Sequence, residues 1–181
     1  MIYSLKNISD TKRSIIMEAL RLWKRKQDES IGSRRFLKIV DEYGWENDGC
    51  GAFKRCIIKG SIVAKYPLTS RCKEDRLWNE SEVRREFEQW KYAPKLLKKY
   101  LPRCYAFIDN LLIQDKVINT GFDSKRRKEL NKLIREFDLR DAEPHNVGFS
   151  RLGTIKFFDW VYKRRDEAVC DIRGDKSLKD Y

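Results

Sequence analysis

The sequence predicts an α+β chain, and three observations predict it: an amphipathic helical stripe near the N-terminus, two hairpins of short apolar runs, and a charged helix between those hairpins. The stripe reads Ile15, Ile16, Ala19, Leu20 and Trp23 with Lys and Arg on the other face, and Ser9-Asp10 ahead of it is a capping sequence. After the Gly32-Ser33 break, a second element, helix or strand, spans residues 36–43. The first hairpin pairs residues 55–58 with 61–65 about a turn at Lys59-Gly60. Residues 82–90 follow with helical spacing, Val83, Phe87 and Trp90 on one side. The second hairpin pairs 103–107 with 111–113 through Asp109-Asn110, and one more helix fits at 124–137. A polar loop and a strand at 154–158 complete the order.

At 181 residues with 41% hydrophobic content and five Trp, the chain is expected to form one domain with two lobes inside it. Its boundaries divide a helical N-terminal extension, residues 1–45, from the remainder, 46–181. The extension reads as a brace for the smaller lobe, with a partner-binding extension as the alternative. The formal net charge of +12 favours anionic partners such as nucleotides, acidic proteins or nucleic acid without choosing among them. The basic runs at 125–128 and 163–165 read as solvated faces. Five cysteines without paired short spacing, beside one histidine, speak against a zinc site and for reduced thiols. No signal peptide and no apolar run of membrane-spanning length is evident, so a cytoplasmic protein is expected.

The chemistry concentrates near the C-terminus. Leu139-Arg140-Asp141 leads through Pro144-His145 to Asn146, and an apolar strand then ends at Asp159. An Asp, an Asn five positions on and an Asp thirteen further on supply one base and two metal-facing groups for a nucleotide's terminal phosphate. His145 reads as a structural loop residue. Upstream, Gly49-Cys50-Gly51-Ala52-Phe53 opens the first hairpin, whose second strand carries Lys65. The helix after it offers Glu86 or Glu88 as that lysine's partner.

Here the chain resembles the protein kinase-like superfamily, in particular its small bacterial and phage-type members, over about residues 49–159. The resemblance implies a reduced protein kinase-like fold: a small antiparallel-sheet lobe and a truncated helical lobe. It implies that Gly49, Gly51 and Phe53 form the tip of a glycine-rich phosphate loop, and that Lys65 is held by Glu86. By the same resemblance Asp141 orients the acceptor hydroxyl, while Asn146 and Asp159 bind Mg2+. Adenine would lie against Val63 and Ala64 and against a hinge near Gln114 and Lys116. Transfer of this kind needs charge neutralised and oxygens held in line, which explains the residue types.

The pattern also departs from that family. Lys54 stands where the loop's third glycine belongs, and no first strand is visible ahead of Gly49. Leu139 replaces a histidine, and Asp159 precedes Trp160-Val161 rather than Phe-Gly. No Ala-Pro-Glu or long activation segment follows. The expected activity is ATP- and Mg2+-dependent transfer of a phosphate to a hydroxyl, with a protein, acidic or otherwise, as acceptor or partner. The alternative is a pseudokinase-like module that engages a partner protein without transfer. If the chain is phage-encoded, its place is the host cytoplasm. Nucleic acid is a lesser alternative: binding driven by the basic field would weaken steeply with added salt and survive Asp159→Ala, which a filter-binding titration would read.

Overall fold

In the computed structural model, which describes residues 5, 7–50, 52–118, 123–140, 142, 146–158 and 161–162, Ser9 starts the first helix as its capping sequence suggests. Its hydroxyl oxygen accepts the Lys12 amide at 3.3 Å, and α1 (Asp10–Asp28) buries Ile16, Ala19, Leu22 and Trp23. Ile15 and Leu20 are only partly buried, because the inward stripe runs through 16, 19, 22, 23 and 26 and leaves those two on its edges.

The second element is a helix, α2 (Ser33–Glu42). It ends in a Schellman motif: Trp45 N–H donates to Val40 O at 2.9 Å and Gly44 N–H to Asp41 O at 2.8 Å, with Gly44 at φ +74°. That turn carries Trp45 into the core, where its indole N–H donates to Glu18 at 2.7 Å. Lys59 donates to the same Glu18 oxygen at 2.6 Å, so one carboxylate ties α1 both to the end of α2 and to the sheet.

The sheet has five strands in the order β1-β2-β3-β5-β4, every neighbouring pair antiparallel. Its members are β1 (Glu46–Cys50), β2 (Lys54–Lys59), β3 (Ile62–Pro67), β4 (Cys104–Ile108) and β5 (Leu111–Asp115). Gly60 takes φ +58° in the β2–β3 turn, and Asp109 and Asn110 both take positive φ between β4 and β5, the backbone a tight two-residue loop requires. β1 corrects the sequence reading, which shows no strand there. It is an edge strand, exposed from Glu46 to Gly49 and without apolar alternation, paired through a register shift between Asn47 and Cys50. Gly49, at φ +101°, lies within that irregularity rather than at the mouth of the hairpin.

Strand alternation gives the sheet two covered faces. Ile57, Ile62, Ala64, Tyr66, Leu111 and Ile113 share one apolar core with α1 and α2. The opposite face takes α3 (Lys73–Tyr92), whose Phe87 ring stacks flat on Phe107 with centroids 4.5 Å apart and planes 5° from parallel. This helix is far longer than the stretch the periodicity marks, because Leu77 and Trp78 in its first half are exposed and carry no stripe.

The chain divides into two compact units, the first made of residues up to Glu88 with Arg103–Lys116, the second of Gln89–Pro102 with residues from Val117 onward. The second contains α4 (Lys95–Lys98), α5 (Ser124–Phe137), β6 (Leu139–Arg140), β7 (Val147–Phe149), β8 (Ile155–Phe157) and β9 (Val161–Tyr162). The α5 limits are those the sequence predicts: the Asp123 carboxylate accepts the Arg126 amide at 2.8 Å, and Asp138 closes the helix at φ +48°. Leu97, Leu101, Leu130, Leu133, Val147, Phe149 and Phe157 form this unit's core. Its strands pair as β6 with β9 and β7 with β8. Of these four, only β8 was expected.

The fold is thus α+β, with a small antiparallel sheet in one unit and short helices with paired strands in the other. Among the described residues no helix is long and apolar enough to cross a membrane. One backbone approach in the second unit sets a sharp limit on sequence. A Cβ at Gly148 would lie 2.5 Å from Ile118 O and 2.6 Å from Val117 Cγ1. Gly148→Ala is therefore expected to destabilise the protein by roughly 1–3 kcal/mol in urea denaturation, since the clash is partly with backbone.

Candidate functional site

Lys65 lies in the middle of β3, and alternation turns it away from Ala64 and Tyr66 toward the face that α3 covers. Its side chain is 5% exposed and forms an ion pair and hydrogen bond with Glu86 of α3. Glu88, two residues farther along the helix, is rotated by about 200° around the axis, so helix phase selects Glu86 from the two carboxylates the sequence leaves open.

Glu86 has two further partners. Lys54 Nζ donates to its Oε2 at 2.8 Å, and Gln114 Nε2 donates to its Oε1 at 3.2 Å. Lys54 and Lys65 share a face because β2 and β3 register Cys56 against Lys65 and Lys54 against Pro67. Gln114, 2% exposed, faces the same way from β5, opposite Val63. Burial alone would raise the Glu86 pKa, but the charges of Lys54 and Lys65 and their hydrogen bonds outweigh it and bring it down to about 2. Two cations thus share one carboxylate. Beside them, burial pushes the Cys56 thiol pKa up, against the opposing pull of Lys65.

The other predicted residues fall as follows. Gly49 sits in the β1 irregularity, and Gly51 lies outside the described residues. Phe53, 40% exposed, packs edge-on against Trp78 of α3, with ring centroids 6.4 Å apart. The Lys116 amide donates to Ser61 O at 2.8 Å, joining the end of β5 to the β2–β3 turn. Ala64 is a correction: it belongs to the core under α1, so of the two residues expected against adenine only Val63 shares the Lys65 face.

In the second unit, Asn146 O accepts the Phe158 amide at 3.1 Å, and Arg140 pairs with Val161 across β6 and β9. Residues on either side of position 141 are therefore joined to residues on either side of position 159. Asp141 and Asp159 themselves lie outside the described residues, as does His145. Among the described residues no group of three or more His, Cys, Asp and Glu side chains could hold a metal ion.

No family model matches the chain. No curated protein matches it either. Solved structures of WbdD are distantly similar. Monomeric WbdD superposes with a TM-score of 0.47 at 16% identity, covering 74% of this chain and 41% of that one. The bifunctional kinase-methyltransferase WbdD gives 0.46 at 16% identity over 65% and 34%. A co-crystal of WbdD with a kinase inhibitor gives 0.44 at 16% identity over 71% and 35%. This chain spans well under half of each WbdD chain, and a likeness at this level decides neither family nor activity.

Sequence reasoning named Lys65 and Glu86 but missed that Lys54 and the Gln114 side chain also hold Glu86. The signal was present in the hairpin register, which puts residues 54, 56 and 65 on one face once the turn is fixed at Gly60. The depressed Glu86 pKa has a definite consequence for stability. The folded-state value lies below the ordinary 4.5, so the unfolded chain binds more protons in that window. The carboxylate's contribution is complete above about pH 4.5 and is lost as the pH falls toward about 2. Urea stability of the wild type is expected to fall more steeply from about pH 5 to about pH 3 than that of Glu86→Gln. Equal slopes would mean that Glu86 carries no such shift.

Proposed function

We propose that this chain is an ATP- and Mg2+-dependent phosphotransferase of reduced protein kinase-like fold that passes a terminal phosphate to a hydroxyl, most readily one on a protein. The observation that carries the reading is the buried pairing of the β3 lysine, Lys65, with the α3 glutamate, Glu86. A strand lysine fixed by a helix glutamate is a point charge held in place for phosphate oxygens.

The donor chemistry of the remaining residues fits the same reaction. Asn146 and Asp159 offer hard oxygen atoms of the kind Mg2+ accepts alongside water. The bond from Phe158 to Asn146 and the pairing of Arg140 with Val161 support a common role for the two motifs that carry them. Bound Mg2+ would neutralise charge on the phosphates and help to align them. Lys65 binds and orients phosphate oxygens, Glu86 and Lys54 fix where that charge stands, and Asp141 orients the acceptor hydroxyl and takes its proton. The β1–β2 segment covers the phosphates, with Gly49 supplying a backbone shape closed to other residues.

The acceptor is assigned to a protein because the Arg140-Asp141 and Asn146 pattern is the protein-kinase form of the catalytic loop. The basic composition suits an acidic partner. Thermal stabilisation by ATP with Mg2+, recorded with labelled-phosphate transfer from the same samples, tests the proposal. Asp141→Ala is expected to lower transfer by about a hundredfold or more while keeping nucleotide stabilisation. Asp159→Ala is expected to lose the Mg2+-dependent part of the stabilisation, and Lys65→Met to weaken both. Full transfer in all three variants would overturn the assignment. Stabilisation of the wild type without any transfer would replace the transferase with a nucleotide-holding partner-binding module.

A further inference from the structure

The first unit has a cavity of about 420 Å³ whose lining includes none of Lys54, Lys65, Glu86 or Gln114. Trp23 from α1, Pro67 and Leu68 at the end of β3, and Asn110 of the β4–β5 turn contribute to its walls. The Trp23 ring is fixed there, because its indole N–H donates to Asp109 O at 3.1 Å and its edges meet Phe36 and Tyr66. Its volume falls in the range of small-molecule sites.

Four charged side chains line this cavity, Lys26, Arg76, Glu80 and Asp109, and they are not equivalent. Arg76 and Asp109 are exposed and Glu80 is half-buried, so water and salt screen them. Lys26 is only 8% exposed. Its ammonium lies 4.7 Å from the Trp23 ring centroid and 5.8 Å from that of Phe36, and among the described residues it has neither a carboxylate partner nor a hydrogen-bond acceptor. Ring faces offset part of the cost of burying a cation, but they accept none of its three N–H groups in the way an oxygen does. Burial accordingly draws the Lys26 pKa down. An ammonium held this way at a cavity is partly desolvated and keeps N–H groups for an anion, and Arg76 adds donors to the same lining.

We infer that this cavity is a binding site for a small molecule that carries one oxyanion group, phosphate or carboxylate, on a planar apolar body: the oxyanion pairs with Lys26 and the planar body lies against Trp23, Pro67 and Leu68. The site is independent of the phosphotransfer reading. It uses none of Lys65, Glu86, Asn146 or the motif aspartates.

The test uses the full chain with indole nitrogens labelled and the Trp23 signal assigned by its loss in Trp23→Phe. Phenyl phosphate, benzoate and uncharged benzyl alcohol are titrated separately. Saturable movement of the Trp23 signal by phenyl phosphate or benzoate, at least about tenfold tighter than by benzyl alcohol, is expected. Whichever anion binds more tightly identifies the oxyanion. Lys26→Met, which keeps the stem and removes the charge, should abolish that preference, and the surface variant Arg76→Gln should weaken it severalfold with the fold intact. Equal binding of the neutral probe, no saturable shift by either anion, or a preference unchanged in both variants would overturn the inference.

Discussion

The position of the Glu86 carboxylate is the constraint on which the site-bearing face of the sheet depends. A carboxylate placed beneath a helix and against a sheet stays ionised only if cations meet it there, and Lys65 and Lys54 do so from adjacent strands. The requirement fixes several things together. The β2–β3 register has to bring residues 54 and 65 to the same side, and α3 has to be rotated so that position 86 faces down. Phe87, one residue on, meets β4 at Phe107 under that rotation. The apolar stack and the ion pair therefore specify a single placement of helix on strand. The stack supplies burial, and the charges supply direction.

The other face explains why β3 can hold a lysine so firmly. A sheet open to water on that side would let its strands bend and fray, but α1 and α2 seal it with Ile16, Trp23, Phe36 and Val40. Glu18 joins the α2 terminus to β2 by way of Trp45 and Lys59, and Asp115 at the end of β5 accepts from Lys12 and, at 2.8 Å, from Tyr105. The N-terminal helices thus reach both margins of the central strands. β3 becomes buried along nearly its whole length, which is why its sequence reads as a continuous apolar run interrupted by one charge.

What was legible in the sequence follows from how local each signal is. The β2–β3 and β4–β5 turns announce themselves through Gly60 and Asp109-Asn110, because a pair of adjacent residues decides each of them. β1 was illegible, since Glu46, Asn47, Asp48 and Gly49 have no strand preference; the unpaired edge of β2 recruits them. The first half of α3 hid for a related reason, its apolar residues Leu77 and Trp78 being turned to solvent. Ala64 was misplaced because the resemblance supplies neighbours along the chain, whereas alternation sends adjacent residues to opposite faces. The pairing of Lys65 with Glu86 came from the resemblance and needed helix phase to exclude Glu88. The role of Lys54 needed the strand register, a relation between residues eleven apart that no local pattern contains.

Lys54 also bears on how the segment proposed to cover phosphates would work with a lysine where the resemblance expects a third glycine. Glycine at that place lets backbone amides approach phosphate oxygens, and a lysine gives up that freedom. Here Lys54 and Lys65 bring two cations to one carboxylate beside Leu112 and Val63, both largely shielded from water. A nucleotide's phosphates are the anion that the proposed reaction brings to this face. On the proposed reading the substitution trades geometric approach for a second cation, and the residue that departs from the glycine pattern joins the contacts that fix where Lys65 stands.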